Sequence, residues 1–273
     1  MKYLFITVNY KQSDYVLQFL DSIRTTIYSA DDLAQLVVVD NSSDFDVPLG
    51  LDIVRLDPGG NVGYLKGLKF GLANSDIGSF DYVILCNPDI SLDADFFQSL
   101  KSLGNILGGH DLLAPSILSD GVNQNPNLVS KPTTNRIRLY DLLFSSLLVF
   151  STYTILSDFR GKIRRIFSSV IASRREHSDA KSHDILEIFL PHGSFLIFKS
   201  DFFRQDKIFD ADVFLWGEEA IIAHQVREAG GKVVFCPSIV VHHISHSATS
   251  SISLRKKFEI WKRSYGVYRE FLL

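Results

Sequence analysis

The chain has 273 residues, of which 46% are hydrophobic, 12% aromatic and 22% charged. That is enough apolar material for a sizeable core and it excludes disorder, a collagen-like repeat or a coiled coil. At about 100 to 200 residues per ordinary domain, the length suits one large α/β domain or a domain plus a lobe. A formal net charge of −3 argues against nucleic acid as a partner of the whole surface. The two cysteines, Cys86 and Cys236, each sit inside an apolar run and do not make a disulfide framework, so a reducing compartment is expected. Residues 1–14 hold a short apolar run without a small-residue cleavage site, which reads as an intracellular start with no signal peptide.

In chain order, Leu4 to Tyr10 is expected to form the first strand, followed by Val16, Leu20, Ile23 and Ile27 at helical spacing. Leu36 to Asp40 is a continuous apolar run of the kind a strand covered on both faces shows. Asp52 to Leu56 is a third strand before the turn Asp57-Pro58-Gly59-Gly60, and Leu65, Leu68 and Leu72 mark a short helix. Asp81 to Cys86 is another buried strand, and Phe96, Leu100, Leu103 and Leu107 another helix. This β-α-β-β-α-β-α order predicts an α/β fold with a Rossmann-like, mostly parallel central sheet flanked by helices.

The middle differs. Residues 131–175 hold nine Lys and Arg against Asp141 and Asp158, a local charge of +7, and Leu139 to Leu156 is strongly apolar. A spanning helix needs about 20 predominantly apolar residues and rarely carries a carboxylate in its middle. Two readings stand side by side: a basic, amphipathic helical pair on an anionic membrane surface, or a helical insertion packed on the sheet with a solvated basic face. The last third returns to α/β character. Phe195 to Lys199 is a strand, Glu218 to Ala229 a helix ended by Gly230-Gly231, Lys232 to Cys236 a strand, and Leu254 to Leu272 a basic helix after a polar, histidine-rich stretch. The expected division is 1–118, 119–187 as the insertion, and 188–273.

Five stretches carry groups suited to chemistry. Val37-Val38-Val39-Asp40-Asn41-Ser42-Ser43 puts a carboxylate and an amide at the carboxyl end of a buried strand, where open α/β sheets bind ligands; the alternative is a turn that ends the strand. Gly60-Asn61-Val62-Gly63-Tyr64-Leu65-Lys66-Gly67 is neither a dinucleotide fingerprint nor a phosphate loop, but its glycines allow close backbone approach at a helix start, with Lys66 one turn in. Asn87-Pro88-Asp89 ends a strand with a carboxylate of the kind Mg²⁺ or Mn²⁺ takes alongside phosphate oxygens and water. Asp93 and Asp95 are the better caps for the next helix, which leaves Asp89 available. In Phe214-Leu215-Trp216-Gly217-Glu218-Glu219 two acids open a helix; they project about 100° apart, so one can serve the helix dipole and the other face a cleft. His242-His243-Ile244-Ser245-His246 has no zinc-type partner pattern, and one functional histidine of the three is expected.

In this order, with Phe5-Ile6-Thr7-Val8-Asn9-Tyr10 and Gly193-Ser194-Phe195-Leu196-Ile197, the stretches resemble the family-2 glycosyltransferases of the GT-A fold, in particular rhamnosyltransferase-like enzymes of bacterial surface polysaccharides such as O-antigen. The resemblance covers the chain except about 119–187. It implies inverting transfer of a sugar, rhamnose foremost, from a dTDP- or UDP-sugar to a saccharide hydroxyl on a polyprenyl-diphosphate lipid. It also implies a cytoplasmic enzyme peripheral on the inner face of the plasma membrane. By the same resemblance Thr7, Asn9, Tyr10, Asp40, Asn41, Asn61, Gly63, Lys66 and Asn87 bind the nucleotide sugar. Asp89 and His242 hold a divalent cation, Mg²⁺ or Mn²⁺, and Glu219, with Glu218 beside it, is the base. The motif is Asn-Pro-Asp where Asp-x-Asp is usual, and Glu-Glu where Glu-Asp is common. A nucleotidyltransferase is the weaker rival, because Asn9-Tyr10-Lys11-Gln12-Ser13 holds no glycine-rich loop. A non-catalytic sugar-nucleotide binder has no use for a cleft acid at Glu219.

Overall fold

The computed structural model describes residues 1–27, 32–104, 108–156, 185–204, 209–244 and 252–273. Leu107, His246 and the basic residues Arg160, Lys162, Arg164, Arg165, Arg174 and Arg175 lie outside them.

The amino-terminal half follows its hydrophobic periodicity. β1 (Lys2–Asn9) lies parallel between β2 (Leu33–Asp40) and β4 (Tyr82–Cys86), and β3 (Ile53–Leu56) adds to β2. Side chains alternate across a strand, so Leu4, Ile6 and Val8 enter one buried cluster while Tyr3 and Phe5 enter another on the opposite face. A strand covered on both faces has no polar side to show, which is why β1 reads as one apolar run. α1 (Ser13–Thr26) and α3 (Phe96–Leu103) bury Phe19, Ile23, Phe96 and Leu100 against the Tyr3–Phe5 face. α2 (Tyr64–Ala73) covers the other face, with Gly67 over Val8 and Gly71 over Ile6 and Val39, where a Cβ would crowd the sheet.

Beyond β4 the sheet is more mixed than its βα repeats predict. The added strands are β5 (Ile90–Leu92), β6 (Leu112–Ser119), β7 (Val122–Asn123), β8 (Leu186–Glu187), β9 (Phe195–Lys199) and β10 (Val233–His243). The order is β3-β2-β1-β4-β9-β6-β10-β5, with β7 on β6 and β8 on β10; β9 runs antiparallel to β4 and β6. The sequence reading missed β5 and β6 and ended β10 too early. A bulge between Cys236 and Val240 re-registers that strand, which then continues to His243, so His242 and His243 are strand residues rather than loop.

The described part of the insertion is a pair of helices, α4 (Thr134–Leu143) and α5 (Leu147–Leu156), bent by 109°. Among the described residues no single helix is long and apolar enough to cross a membrane; this bent pair passes only by length and composition. α6 (Glu218–Glu228) buries Ile221, Ile222 and Val226, and α7 (Leu254–Tyr268) follows a Ser253 cap that accepts from the Lys256 N–H. Phe144, Phe150 and Tyr265 join α4, α5 and α7 to the α2–α6 side of the core. The sheet therefore ends with Asn9, Asp40, Cys86, Ser194 and His243 on one edge, since Cys86 pairs with Phe195 and His243 with Ile90.

Candidate active site

The amino-terminal side of this edge is tied together by Asp40. Its fully buried carboxylate accepts from Asn9 Nδ2 (3.0 Å), the Ser42 N–H and Oγ, the Phe45 N–H (2.8 Å), and Nε and Nη2 of Arg55 (3.1 and 3.0 Å). Burial alone would raise its pKa, yet the Phe45 and Ser42 donors and Arg55 hold it below the ordinary carboxylate value. Both oxygens are thus used in knotting β1, β2 and β3, a role for which sequence reasoning saw no partner because Arg55 lies on a separate strand. The neighbouring groups carry unmet polarity instead. Among the described residues Thr7 Oγ1, Gln12 Nε2 and Asn41 Oδ1 are buried without a hydrogen-bond partner, and such atoms are costly unless something polar meets them. Asn41 donates to Asn61 Oδ1 (3.3 Å) and the Gly63 carbonyl (3.1 Å), while Tyr10 is 39% exposed beside them. Lys66, expected to face an anion, pairs with Asp212 at 2.7 Å on the surface.

Gly63 caps α2 at φ 89°, and a Cβ there would lie 2.5 Å from the Phe214 carbonyl, which accepts from the Tyr64 N–H. The acid loop is therefore pressed directly against the start of α2. It enters α6 through Trp216 (φ 65°) and Gly217 (φ 91°), two successive left-handed residues, and a Cβ on Gly217 would overlap the Tyr268 ring. Gly217→Ala is expected to cost about 3 kcal/mol through the combined strain and overlap, read as a lowered midpoint in chemical denaturation.

Glu218 is 8% exposed and its Oε2 has no hydrogen-bond partner. Burial, then the charge of Glu219, push it up to about 8, and burial raises Glu219 as well, while backbone N–H groups at the helix start oppose both shifts. The Gly193 turn runs along the pair, so that a Cβ at 193 would sit 3.5 Å from Glu219 Oε2. The Tyr64 hydroxyl, buried without a hydrogen-bond partner, is pushed far up by burial and by Cys86, Glu218, Asp89 and Glu219. Asp89 and the acid pair all act electrostatically on this phenol, which the sequence reading did not single out.

Asp89 is 6% exposed, on a turn whose Asn87 N–H donates to the Ser194 carbonyl (2.9 Å). The histidine beside it is His243, Nε2 to Oδ1 3.3 Å; His242, the expected one, points to the other face, 48% exposed and 3.4 Å from Asp93. Adjacent strand residues face opposite sides, so a choice between two neighbouring histidines is a choice of face. Asp95 is the N-cap residue of α3 but makes no side-chain cap bond, while the Asp93 carboxylate accepts from the Asp95 N–H at 3.3 Å. Nδ1 of His243 meets Gln124 Oε1 at 2.9 Å. As donor to that carbonyl, the ring turns its Nε2 lone pair toward Asp89. Two acceptors facing each other fit a cation between them. Among the described residues no three His, Cys, Asp or Glu side chains cluster for a metal ion. His192 stands beside His243 (ring centroids 5.9 Å), half-buried and held down to about 4 by burial and by His243, its Nδ1 2.9 Å from Ser194 Oγ.

Neither a protein-family model nor a curated protein sequence matches the chain. Solved structures do. GalNAc-T7 with UDP, GalNAc and Mn²⁺ superposes with TM-score 0.57 at 12% identity over 90% of this chain and 44% of that one. S. aureus TarS 1–349 in complex with UDP-GlcNAc gives 0.53 at 11% over 93% and 62%. The mannosyltransferase PcManGT from Pyrobaculum calidifontis, in complex with GDP-Man and Mn²⁺, gives 0.50 at 15% over 96% and 69%. The chain has the GT-A fold of these glycosyltransferases. It spans less than two thirds of the length of the first two structures, and at these identities the likeness is one of fold.

Proposed function

We propose that the protein is an inverting glycosyltransferase that moves a sugar from a nucleoside diphosphate to a saccharide hydroxyl. The observation that carries this reading is the convergence of Asp89 and the pair Glu218–Glu219 on the 193–194 turn, where the Ser194 carbonyl accepts from the Asn87 N–H and a Cβ at Gly193 would sit 3.5 Å from Glu219 Oε2, at the carboxyl edge of a GT-A sheet, where such sheets bind ligands. Thr7, Gln12 and Asn41 offer the unmet polar atoms a nucleoside would satisfy, with Asn9, Tyr10, Asp40, Asn61, Gly63, Lys66 and Asn87 shaping that end. The donors in the neighbouring structures are UDP-GlcNAc and GDP-Man; rhamnose on dTDP or UDP is the assignment we favour here from the motif resemblance, with a lipid-linked acceptor.

Asp89 and His243 would hold a divalent cation, Mg²⁺ or Mn²⁺, which when bound offsets the negative charge that grows on the diphosphate leaving group. Glu219, beside the Gly193 turn, accepts the proton of the acceptor hydroxyl as its oxygen attacks the anomeric carbon. The bond from that carbon to the diphosphate breaks, its electron pair leaves with the nucleoside diphosphate, and one displacement inverts the centre. Glu218, kept protonated by burial, leaves one negative charge at the acid pair.

Isothermal titration with UDP-, dTDP- and GDP-sugars, each with Mn²⁺, Mg²⁺ or chelator, tests the reading. One donor is expected to bind with cation and to lose at least about tenfold in affinity with chelator, a loss of about 1.4 kcal/mol. Absence of binding under every condition would overturn it.

A further inference from the structure

The α4–α5 hairpin has two apolar sides, and the core uses only one. Ile137, Phe144 and Phe150 are buried, Phe144 and Phe150 against Trp261 and Phe258 of α7 (ring centroids 5.7 and 5.5 Å). On the outside, Leu139, Leu142, Leu148, Ile155 and Leu156 are each more than half exposed, Leu148 at 74%. Single exposed leucines are ordinary, but a group on one short hairpin marks a surface that meets something apolar. Leu148 and Ile155 are seven apart and share a helix face.

The charge around this face selects the partner. The acid of the hairpin, Asp141, is taken by Arg269 (2.6 Å) and the Tyr265 hydroxyl (2.6 Å), which hold it down to about 2. Lys131, Arg136 and Arg138 are exposed beside the leucines. Exposed Lys256 and Lys262 lie on the packed helix α7. Apolar side chains rimmed by cations fit an anionic lipid surface, where the leucines enter the acyl boundary and the cations meet headgroups.

The same hairpin is connected to the acids by stacked rings. Phe144 lies on Trp261 at 13°, and Trp261 on Trp216 at 5.0 Å and 6°. Trp216 stands two residues before Glu218, and the neighbouring Leu215 carbonyl accepts from Ser264 Oγ at 2.7 Å. A loop that holds two left-handed residues keeps them only while its surroundings enforce them, and here α7 supplies that enforcement. We propose that the outer face of the α4–α5 hairpin docks on anionic lipid and that the Phe144–Trp261–Trp216 stack passes this contact to the acid loop. The second half rests on the glycosyltransferase reading above, and Trp261 acts in it as a positioning residue.

Trp216 and Trp261 are the only tryptophans in the chain, so its tryptophan emission reports on this stack alone. The experiment mixes the full chain with phosphatidylglycerol-rich or with phosphatidylcholine vesicles and reads co-sedimentation and emission together. Expected are co-sedimentation with the anionic vesicles, weakened by salt, little with the neutral ones, and an emission change that tracks binding. The double variant Leu148→Glu/Ile155→Glu, folded by circular dichroism, is expected to bind vesicles at least about tenfold more weakly and to bind the sugar nucleotide as before. Failure of the folded wild type to sediment, or full binding by the double variant, would overturn the docking face. Binding without an emission change would overturn the coupling. Wild-type self-association that the double variant abolishes would give the face to a second copy and overturn the lipid. Calorimetry of the donor uses no vesicles, so failure here stands apart from failure of the transferase reading.

Discussion

Asp89→Ala is expected to abolish cation-dependent binding of the sugar nucleotide and to lower turnover by about 10³-fold or more, because several kcal/mol of leaving-group stabilisation depends on that charge. The carboxylate is nearly inaccessible and faces the His243 imidazole. His243→Ala is expected to weaken cation dependence by about 10- to 100-fold, as loss of one of two protein ligands does, while His242→Ala, on the other face, leaves it unchanged. Titration with Mn²⁺ and a nucleoside diphosphate separates the three variants. Equal losses at 242 and 243 would sink the assignment of the face.

The second large effect concerns the acid pair. Glu219→Gln is expected to lose about 10²- to 10⁴-fold in kcat, the range for a general base, with donor affinity retained. Glu218→Gln is expected to stay within about tenfold at pH 6 to 7, because glutamine copies the protonated carboxyl that burial enforces there. The reverse pattern in released nucleoside diphosphate would make Glu218 the base. The same group sets a pH dependence of stability. Its pKa rises from 4.5 in the unfolded chain to about 8 in the folded one, so the native state binds the extra proton. The stabilisation is complete below about pH 4.5 and is lost as pH rises through about 8. Glu218→Gln removes that slope, and its denaturation midpoint is expected to gain on the wild type between those limits. A parallel decline in both proteins would contradict the burial of the charge.

Much of the architecture was legible because one force wrote it locally. A strand covered on both faces must be largely apolar, and β1, β2 and β4 are buried over five to seven consecutive residues. β6 was missed although it is as buried as they are, because Pro115 interrupts it and it lies outside the regular βα alternation. β10 was cut short because Pro237 reads as a stop, whereas a bulge carries the chain past it.

The candidate site divides in the same way. Asp89, the acid pair, Asn41 and the Gly63 turn were found because a strand end, a helix start and a tight turn are local events that leave residue types at fixed spacing. The sequence by itself determined the α/β class and the acids that stand at the carboxyl edge of the sheet. Only the tertiary structure decided that Asp40 is bound by Arg55, that His243 rather than His242 meets Asp89, that Lys66 turns to Asp212, and that the 193–194 turn joins the Asp89 turn to the acid pair. It also placed α7, whose Trp261 reaches Trp216 across 45 residues of chain. These pairings join residues on separate elements through the register of strands and the closeness of packed helices. Neither quantity has a signature in the local order of residues, since both arise only when the elements bury their apolar faces against one another.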